Sequence, residues 1–236
     1  MRLKPILIAC GATLLWAAAA ATPAAAGTLE VNPVLLEINA NRRTATVTLR
    51  NQEAVPVTIR AYPLGWRQAG GGEEYAETTA VIVSPPVFTI APGATQLVRV
   101  GLRSSAGARQ AYRLILEEVP DANPGNGIRV ALRLNLPLYA MIPSGQASAV
   151  RWSAWQESGS WVVEAANSGP GYVRLSHDVA QEATGIRAGN DVNFGTLLPG
   201  ATRRWRLGRR VEIRDQARLR QVARTQASVG AQASRD

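Results

Sequence analysis

The stretch that decides the interpretation of this chain is Ile128 to Tyr139, which reads IRVALRLNLPLY. Every second residue in it is aliphatic, so an extended strand would carry one uniformly apolar face. That face consists of Ile128, Val130, Leu132, Leu134, Leu136 and Leu138. The run is about twice as long as a usual strand, and Pro137, which has no N–H to donate, predicts a sheet edge. A long apolar edge promotes aggregation unless another surface covers it.

Shorter alternating runs precede this stretch, and turn residues such as Gly70-Gly71-Gly72 and Pro92-Gly93 separate them. Each run is of strand length and is rich in β-branched or aliphatic residues. The runs are Thr44 to Leu49, Val55 to Tyr62, Ala80 to Val83, Val87 to Ile90, Gln96 to Leu102 and Tyr112 to Val119. Many short strands at this spacing predict a β-sandwich.

Pro143-Ser144-Gly145 ends the alternation and predicts a boundary between two domains. We therefore predict an all-β chain with a first domain at 27–143 and a second at 147–224. The expected elements of the second domain are strands around Trp161 to Ala165 and Tyr172 to Ser176, a hairpin from Leu197 to Leu207 through Pro199-Gly200, and a short helix within 214–224. The polar residues 225–236 are expected to form a disordered tail.

The N-terminus has the pattern of an export signal. Arg2 and Lys4 precede an apolar run, and the small residues Ala24-Ala25-Ala26 follow it. We expect residues 1–26 to be a cleaved signal peptide and the protein to be periplasmic. A membrane anchor is the alternative, but the apolar run is short and ends at Thr22-Pro23. Leu7 to Cys10 is similar to a lipoprotein cleavage box, although the apolar stretch before it is too short.

Composition argues against catalysis and bound cofactors. Cys10 and Lys4 are the only cysteine and lysine, and both would leave with the signal. Disulfides, thiol nucleophiles, thiolate metal sites and Schiff-base chemistry are then excluded. His177 is the only histidine, and no G-x-S-x-G pattern accompanies it. We expect no enzyme activity, no metal and no cofactor, and we interpret His177 beside Asp178 as a surface pair.

Several motifs in the first domain resemble one family. They are Thr28 to Pro33, Thr48 to Asn51, Ser84-Pro85-Pro86-Val87, Ala91 to Ala94, Val98-Arg99-Val100 and Tyr112-Arg113-Leu114 with Glu118-Val119-Pro120. Together they resemble the periplasmic pilus chaperones of the chaperone–usher pathway. The similarity covers 28–143 well, whereas in the second domain only Asn167 to Leu175 and Leu198-Pro199-Gly200 are similar.

The resemblance implies two immunoglobulin-like domains and a chaperone that lends its long strand to an incomplete pilin, a form of β-augmentation. By position, the donated residues would be Ile128, Val130, Leu132 and Leu134. The partners implied are pilin subunits and an outer-membrane usher, and a homodimer of the free chaperone is left open. The alternative for this strand is that its aliphatic face belongs to an ordinary core.

The resemblance also implies an anchor for the carboxylate at the end of the pilin. Typical members use an arginine in the first strand and a lysine in the long strand, but Leu35 and Pro137 stand at those places here. Archaic branches resemble this chain in having "LP" there, and in them the arginine of the Tyr-Arg-Leu strand resembles the anchor. Arg113 is therefore the candidate, since a guanidinium binds carboxylates with two parallel hydrogen bonds. The alternative is a solvated arginine on a sheet face.

Two other functions are compatible with the sequence. The first is a secreted immunoglobulin-like recognition module without chaperone activity, which would use its C-terminal arginines to contact an acidic polymer. Those arginines are Arg203, Arg204, Arg206, Arg209 and Arg210. The second is an enzyme that uses His177. The formal net charge of +9 would also suit nucleic acid, but export argues against nucleic acid as a partner.

Overall fold

The computed structural model describes residues 29–103, 109–120, 131–143, 149–208 and 211–222. The strands before residue 141 are β1 (Leu29–Asn32), β2 (Leu36–Ile38), β3 (Thr44–Asn51), β4 (Val57–Ala69), β5 (Gly72–Glu77), β6 (Val81–Ser84), β7 (Val87–Ile90), β8 (Thr95–Leu102), β9 (Gln110–Glu118) and β10 (Arg133–Ala140). Four predictions fall outside the described residues: the signal at 1–26, the donor positions Ile128 and Val130, Arg209 with Arg210, and the tail at 225–236.

The N-terminal strands form two facing sheets. One sheet has the order β1-β3-β8-β6, and the other has the order β2-β10-β9-β4-β5, with β7 also paired to β4. Alternate side chains of both sheets meet in one core, as the period of two requires. Fully buried members of this core include Val47, Leu49, Val98, Leu114 and Leu138. Each of the six predicted runs before residue 120 overlaps a strand of this sandwich, with ends that differ by at most two residues, except that β4 continues to Ala69.

The C-terminal elements are β11 (Val150–Glu157), β12 (Ser160–Asn167), β13 (Val173–Leu175), α1 (His177–Thr184), β14 (Ile186–Arg187), β15 (Gly195–Leu197), β16 (Thr202–Arg206), β17 (Glu212–Ile213) and α2 (residues 216–222). Strands β11-β12-β16 form one sheet, while β13-β15 and β14-β17 form two short pairs. The apolar core between them is rich in aromatic residues, among them Trp152, Phe194 and Trp205. The all-β prediction is confirmed, and the domain limits remain predictions.

One prediction for the C-terminal half is wrong, and one element there was not predicted. The segment around Pro199-Gly200 is not a hairpin, because β15 pairs with β13 whereas β16 pairs with β12. The turn therefore carries the chain from one sheet to another. The sequence interpretation also missed α1, which begins at the N-cap Ser176 and ends at Gly185 in the left-handed region, with φ of 74°. The predicted C-terminal helix is present as α2.

Both halves share a corner built around a buried asparagine. Asn51 ends β3 and Asn167 ends β12, and their side chains are almost fully buried. The backbone of each exchanges two hydrogen bonds with a Pro-Gly-Ala turn, at residues 92–94 and 199–201 respectively. The side-chain amide of Asn51 donates to Val55 O (2.8 Å) and Ile90 O (3.0 Å), and its oxygen accepts from Glu53 N (2.8 Å). The corner thus fastens the end of a strand to the start of the next one in the same sheet.

Asn51→Ala is expected to lower the free energy of unfolding by about 2–4 kcal/mol, because it leaves a buried carbonyl and an N–H without partners. Asn39 provides a matched control, since its exposed side chain also accepts from two backbone N–H groups, of Asn41 and Arg42. Asn39→Ala should cost less than about 1 kcal/mol. Urea unfolding of both variants measures the difference. Equal losses would show that burial of the Asn51 amide contributes nothing beyond its local turn.

Candidate functional site

The long strand β10 is open along part of one edge. On one side, all of Arg133–Ala140 pairs antiparallel with β9. On the other side, β2 covers only Leu138 to Ala140, in parallel orientation. Within the described ranges, no strand pairs with 133–137 on that side. This agrees with the edge position predicted from Pro137 and leaves backbone groups available for an added strand.

The aliphatic face of this strand changes character along its length. Leu136 and Leu138 are 6% and 0% exposed and belong to the core of the N-terminal sandwich. Leu134 is partly buried against the same core, and Leu132 is partly buried just before the strand begins. On this face, Leu136 and Leu138 are therefore buried in the core, whereas Leu132 and Leu134 are only partly buried. Of the predicted donor residues, Leu132 and Leu134 lie at this transition.

Backbone contacts hold the start of β10 extended. Glu118 N donates to Leu132 O (2.8 Å), and Leu132 N donates to the Glu118 carboxylate (3.1 Å). On the opposite face, the Arg133 guanidinium donates to Tyr62 Oη (3.2 Å), and Glu117 accepts from Arg60 (2.5 Å). The hydrogen bond from Arg60 lowers the pKa of the Glu117 carboxyl. These hydrogen bonds fix the backbone at Leu132 and the side chain of Arg133 at the start of the strand.

Arg113 occupies the centre of β9 and is not a solvated arginine. Its cross-strand neighbours are Leu64 on β4 and Pro137 on β10. Its side chain is 15% exposed, and the guanidinium carbon lies 3.7 Å from the centre of the Trp66 ring. Cation–π contact of this kind favours a guanidinium that has lost part of its hydration. Arg113 Nη2 also lies 3.6 Å from Glu73 Oε2.

Of the two positions where typical members carry basic residues, Pro137 lies next to Arg113, and Leu35 lies just before β2, two strands away from Arg113 in the sheet. Pro137 is directly opposite Arg113 in the ladder, so their Cβ atoms are about 4.5–5.5 Å apart. Leu35 immediately precedes β2, whose Leu36 pairs with Leu138, and it packs against the C-terminal core. Arg113 therefore places a positive charge one strand away from Pro137, the position at which typical members carry a lysine. The geometry is compatible with its predicted role, which stays a prediction.

The C-terminal half supplies a second arginine to the same place. Arg203, on β16, lies with its Nη1 3.5 Å from Glu73 Oε1, and the same nitrogen donates to Phe194 O (2.9 Å). Its side chain is 16% exposed. Glu73 therefore lies between two guanidiniums, and it also accepts a hydrogen bond from Tyr75. Burial and this hydrogen bond raise the pKa of the Tyr75 hydroxyl.

Sequence reasoning missed Glu73 and Arg203 as members of this cluster. Adjacent residues of an extended strand point to opposite faces of the sheet, so Glu73 and Glu74 are expected to have different surroundings. The structure agrees, because Glu74 pairs with the exposed Arg67 while Glu73 turns towards Arg113. Arg203 was one of several arginines in a polar stretch. Arg203 differs from the other arginines only because β16 approaches β5, and no local sequence pattern predicts that contact.

Aromatic and polar contacts join the two halves around this cluster. Tyr139 stacks on Tyr172 with ring centroids 3.8 Å apart, and the Trp66 ring lies tilted to Tyr139 with centroids 6.0 Å apart. Gln68 donates to Thr196 O (2.7 Å) and accepts from Leu198 N (2.9 Å). Trp66 and Tyr139 are consequently buried in the same apolar core as the C-terminal strands. The Arg113 cluster lies at the junction of the two halves.

The His177 side chain contacts other residues of the C-terminal half. It begins α1, its Nε2 lies 3.1 Å from Gly189 O, and its ring packs edge-on against Phe194. The predicted surface pair with Asp178 is wrong, because the imidazole turns inward to these contacts. In the described ranges, no group of three or more metal-ligating side chains comes together. No helix there is long and apolar enough to cross a membrane.

Comparison of the fold with solved structures finds pilus chaperones. The chaperone CsuC, in its pre-assembly complex with the tip adhesion subunit CsuE from archaic Csu pili of Acinetobacter baumannii, is 23% identical, with a TM-score of 0.62 over 77% of this chain and 88% of that one. The YadV chaperone is 14% identical, with a TM-score of 0.55 over 77% and 85%. The E. coli chaperone DraB is 14% identical, with a TM-score of 0.53 over 78% and 88%. These likenesses show the fold, and the predicted pair of immunoglobulin-like domains is confirmed.

Sequence comparison gives the family. No curated protein sequence matches this chain. The family model described as pili and flagellar-assembly chaperone, PapD N-terminal domain, matches residues 28–145, which is half of the chain. The match contains β1 to β10, including the open edge of β10 and Arg113. This chain therefore belongs to the pili and flagellar-assembly chaperone family that the PapD N-terminal domain defines.

Proposed function

We propose that this protein is a periplasmic chaperone that stabilises pilus subunits by donor-strand complementation and delivers them to an outer-membrane usher. The observation that carries the proposal is the open edge of β10 with an aliphatic face, in a chain of this family. An added strand satisfies its backbone groups along such an edge, and alternate side chains give specificity. The structures similar in fold include chaperones crystallised with their subunits.

The change in burial along the aliphatic face supports two roles for the strand: one part holds it in the sandwich, and the other part binds a subunit. Leu136 and Leu138 hold β10 in the sandwich, while Leu132 and Leu134 are packed less completely. A subunit that lacks a strand needs apolar side chains at alternate positions to close its own core. Burying each aliphatic side chain there stabilises the complex by about 1.5–3 kcal/mol. The donated set would be Ile128, Val130, Leu132 and Leu134, as the sequence predicts.

Arg113 is proposed as the anchor for the terminal carboxylate of the subunit. Its guanidinium is held over Trp66 and its side chain is only 15% exposed, so a bound carboxylate would be largely removed from water. Such a pair makes charge-assisted hydrogen bonds. The pair also fixes register, because a slip of one residue would exchange the two faces of the donated strand. We further propose binding rather than catalysis as its activity, and the limits 27–143 and 147–224 for its two domains.

We expect a pilin gene to lie beside the gene of this protein, and co-expression of the two is expected to yield a one-to-one complex from the periplasm. The pilin alone should aggregate or be degraded, because its core is incomplete. Size-exclusion chromatography with mass measurement checks the stoichiometry. The alternative, a secreted recognition module, predicts no pilin complex and instead retention on an acidic polymer that weakens as salt rises. The same measurement on the free protein tests for a homodimer.

A further inference from the structure

Glu73, Arg113 and Arg203 form an ion cluster at the junction of the two halves, and its ion pairs are long. The two N···O distances from Glu73, 3.5 Å to Arg203 and 3.6 Å to Arg113, exceed the 2.7–3.2 Å of good N–H···O hydrogen bonds. The Nε atoms of Arg113 and Arg203 are buried and have no hydrogen-bond partner among the described residues. Each guanidinium therefore keeps unused donors. A carboxylate that reached both arginines at hydrogen-bond distance would satisfy them better than Glu73 does.

The charges of the cluster favour a further anion over a further cation. Two guanidiniums share the single carboxylate of Glu73, so these three groups carry one net positive charge. Both arginines are about five-sixths buried, with side-chain exposures of 15% and 16%. A partly buried guanidinium pair with one carboxylate is incompletely neutralised, and incompletely neutralised charge away from water is costly. A carboxylate is the planar anion that matches the guanidinium fork.

Glu73 can leave the cluster without unfolding anything. It lies on β5, which pairs only with β4 within the described chain, and every residue of β5 is exposed. The Glu73 side chain itself is 25% exposed, so rotation about its own bonds takes the carboxylate into water. The hairpin keeps separate attachments to the C-terminal half, through Gln68 and through a bridge between Gly71 and Arg203. The junction would therefore persist when Glu73 moves.

We propose that Arg113 and Arg203 together form a receptor for the terminal carboxylate of a peptide, which Glu73 occupies in the free protein and vacates on binding. This inference rests on the proposed function, which it deepens: it adds a second arginine from the C-terminal half and an internal competitor from β5. The competitor keeps the arginines neutralised until a subunit arrives. It also makes the affinity for an isolated carboxylate low, so that capture requires the donated strand as well.

A peptide titration without any pilin tests the receptor. The probe is N-acetyl-trialanine with a free carboxylate, followed by the arginine Nε–H signals of the full mature protein in NMR spectra. We expect Glu73→Gln, which removes the charge and keeps the shape, to bind the probe at least tenfold more tightly than the wild type. The probe's C-terminal amide should not bind. Glu74→Gln is the matched control on the same hairpin, since Glu74 pairs with the exposed Arg67, and it should bind like the wild type.

The contribution of Arg203 is tested in the Glu73→Gln background. Adding Arg203→Ala should remove the tenfold gain, whereas adding Arg204→Ala should keep it, because Arg204 pairs with Glu164 on the outer face of the same sheet. Thermal unfolding of each variant verifies that it is folded. If Glu73→Gln binds no more tightly than the wild type, or if Arg203→Ala leaves the gain intact, the receptor is refuted. In that case the cluster only stabilises the contact between the two halves.

The titration tests the receptor and the co-expression experiment tests the chaperone function, so either proposal can be refuted without the other. Probe binding that follows the expected pattern, together with no pilin complex, would refute the chaperone function and leave the two-arginine receptor. A pilin complex with no response to Glu73→Gln would refute the receptor and leave the chaperone function.

Discussion

Leu132→Asp is expected to abolish capture of a pilin subunit while the free protein stays folded. In the free protein Leu132 is only partly buried, and its backbone is held by Glu118, so the new carboxylate can remain in water. In a donor-strand complex the same carboxylate would be buried in the core of the subunit without a partner. That burial costs several kcal/mol, which corresponds to a loss of affinity of about 100-fold or more. Quantitative pull-down of the subunit measures the loss, and circular dichroism with thermal unfolding measures the stability.

The same strand provides controls for position and for charge. Leu138→Asp places the same charge on the same face where the side chain is 0% exposed, and we expect that variant not to fold. Asn135→Asp places a carboxylate three residues from Leu132, on the exposed opposite face, and should bind the subunit almost normally. If Leu132→Asp unfolds the free protein as Leu138→Asp does, the whole aliphatic face is ordinary core. The donor-strand assignment would then be wrong.

The strands of the N-terminal half were predictable because the period of two is a local signal. Residues such as Val47, Leu49, Val98 and Val100 alternate with exposed neighbours, and each alternation maps directly onto a face of a sheet. The signal fails where both faces of a strand are exposed. The strand β5 (Gly72–Glu77) has no buried residue and forms through its pairing with β4, so only the glycine-rich turn beside it could be predicted from the sequence.

The errors in the C-terminal half arose because turn residues do not say which strands they connect. Pro199-Gly200 marks a turn, but its flanking strands pair with β13 and β12 rather than with each other. The corresponding corner in the N-terminal half, at Pro92-Gly93, follows β7, which pairs with β4, and precedes β8, which pairs with β3. The two Pro-Gly-Ala turns are visible in the sequence, but only the structure shows that each is hydrogen-bonded to a buried asparagine. The repeat was present in the sequence but needs the structure to give it meaning.

The site shows a similar limit. Arg113 was found through a resemblance to a family, because a strand arginine has no local feature that separates it from a solvated one. Its depth depends on Trp66, which lies on β4 and covers the guanidinium. Glu73 and Arg203 are 130 residues apart in the chain and meet only because β5 and β16 come together at the junction. Contacts of that kind are set by the packing of the two halves, so alternation and motifs within one segment cannot predict them.

Arg113→Ala is expected to weaken subunit capture by about 2–5 kcal/mol, the usual cost of removing one partner of a buried charge pair. This corresponds to roughly 30-fold to several thousand-fold in the dissociation constant. Most of the cost arises because the subunit carboxylate would remain buried without its counter-ion. The free protein loses the contact between the guanidinium and Trp66, which contributes about 0.5–2 kcal/mol. Binding should therefore fall much more than stability, and titration of the captured subunit together with urea unfolding measures both.

Conservative and distant substitutions decide whether this loss belongs to the site. Arg113→Lys should restore only part of the affinity, because an ammonium keeps the charge but cannot form two parallel hydrogen bonds with a carboxylate. Arg99→Ala is the matched control: Arg99 is an exposed strand arginine on β8, in the opposite sheet, and should bind almost normally. Equal losses at Arg99 and Arg113 would indicate a diffuse attraction between a basic chaperone and its subunit. Normal capture by Arg113→Ala would remove the anchor assignment, since no buried carboxylate would then depend on that guanidinium.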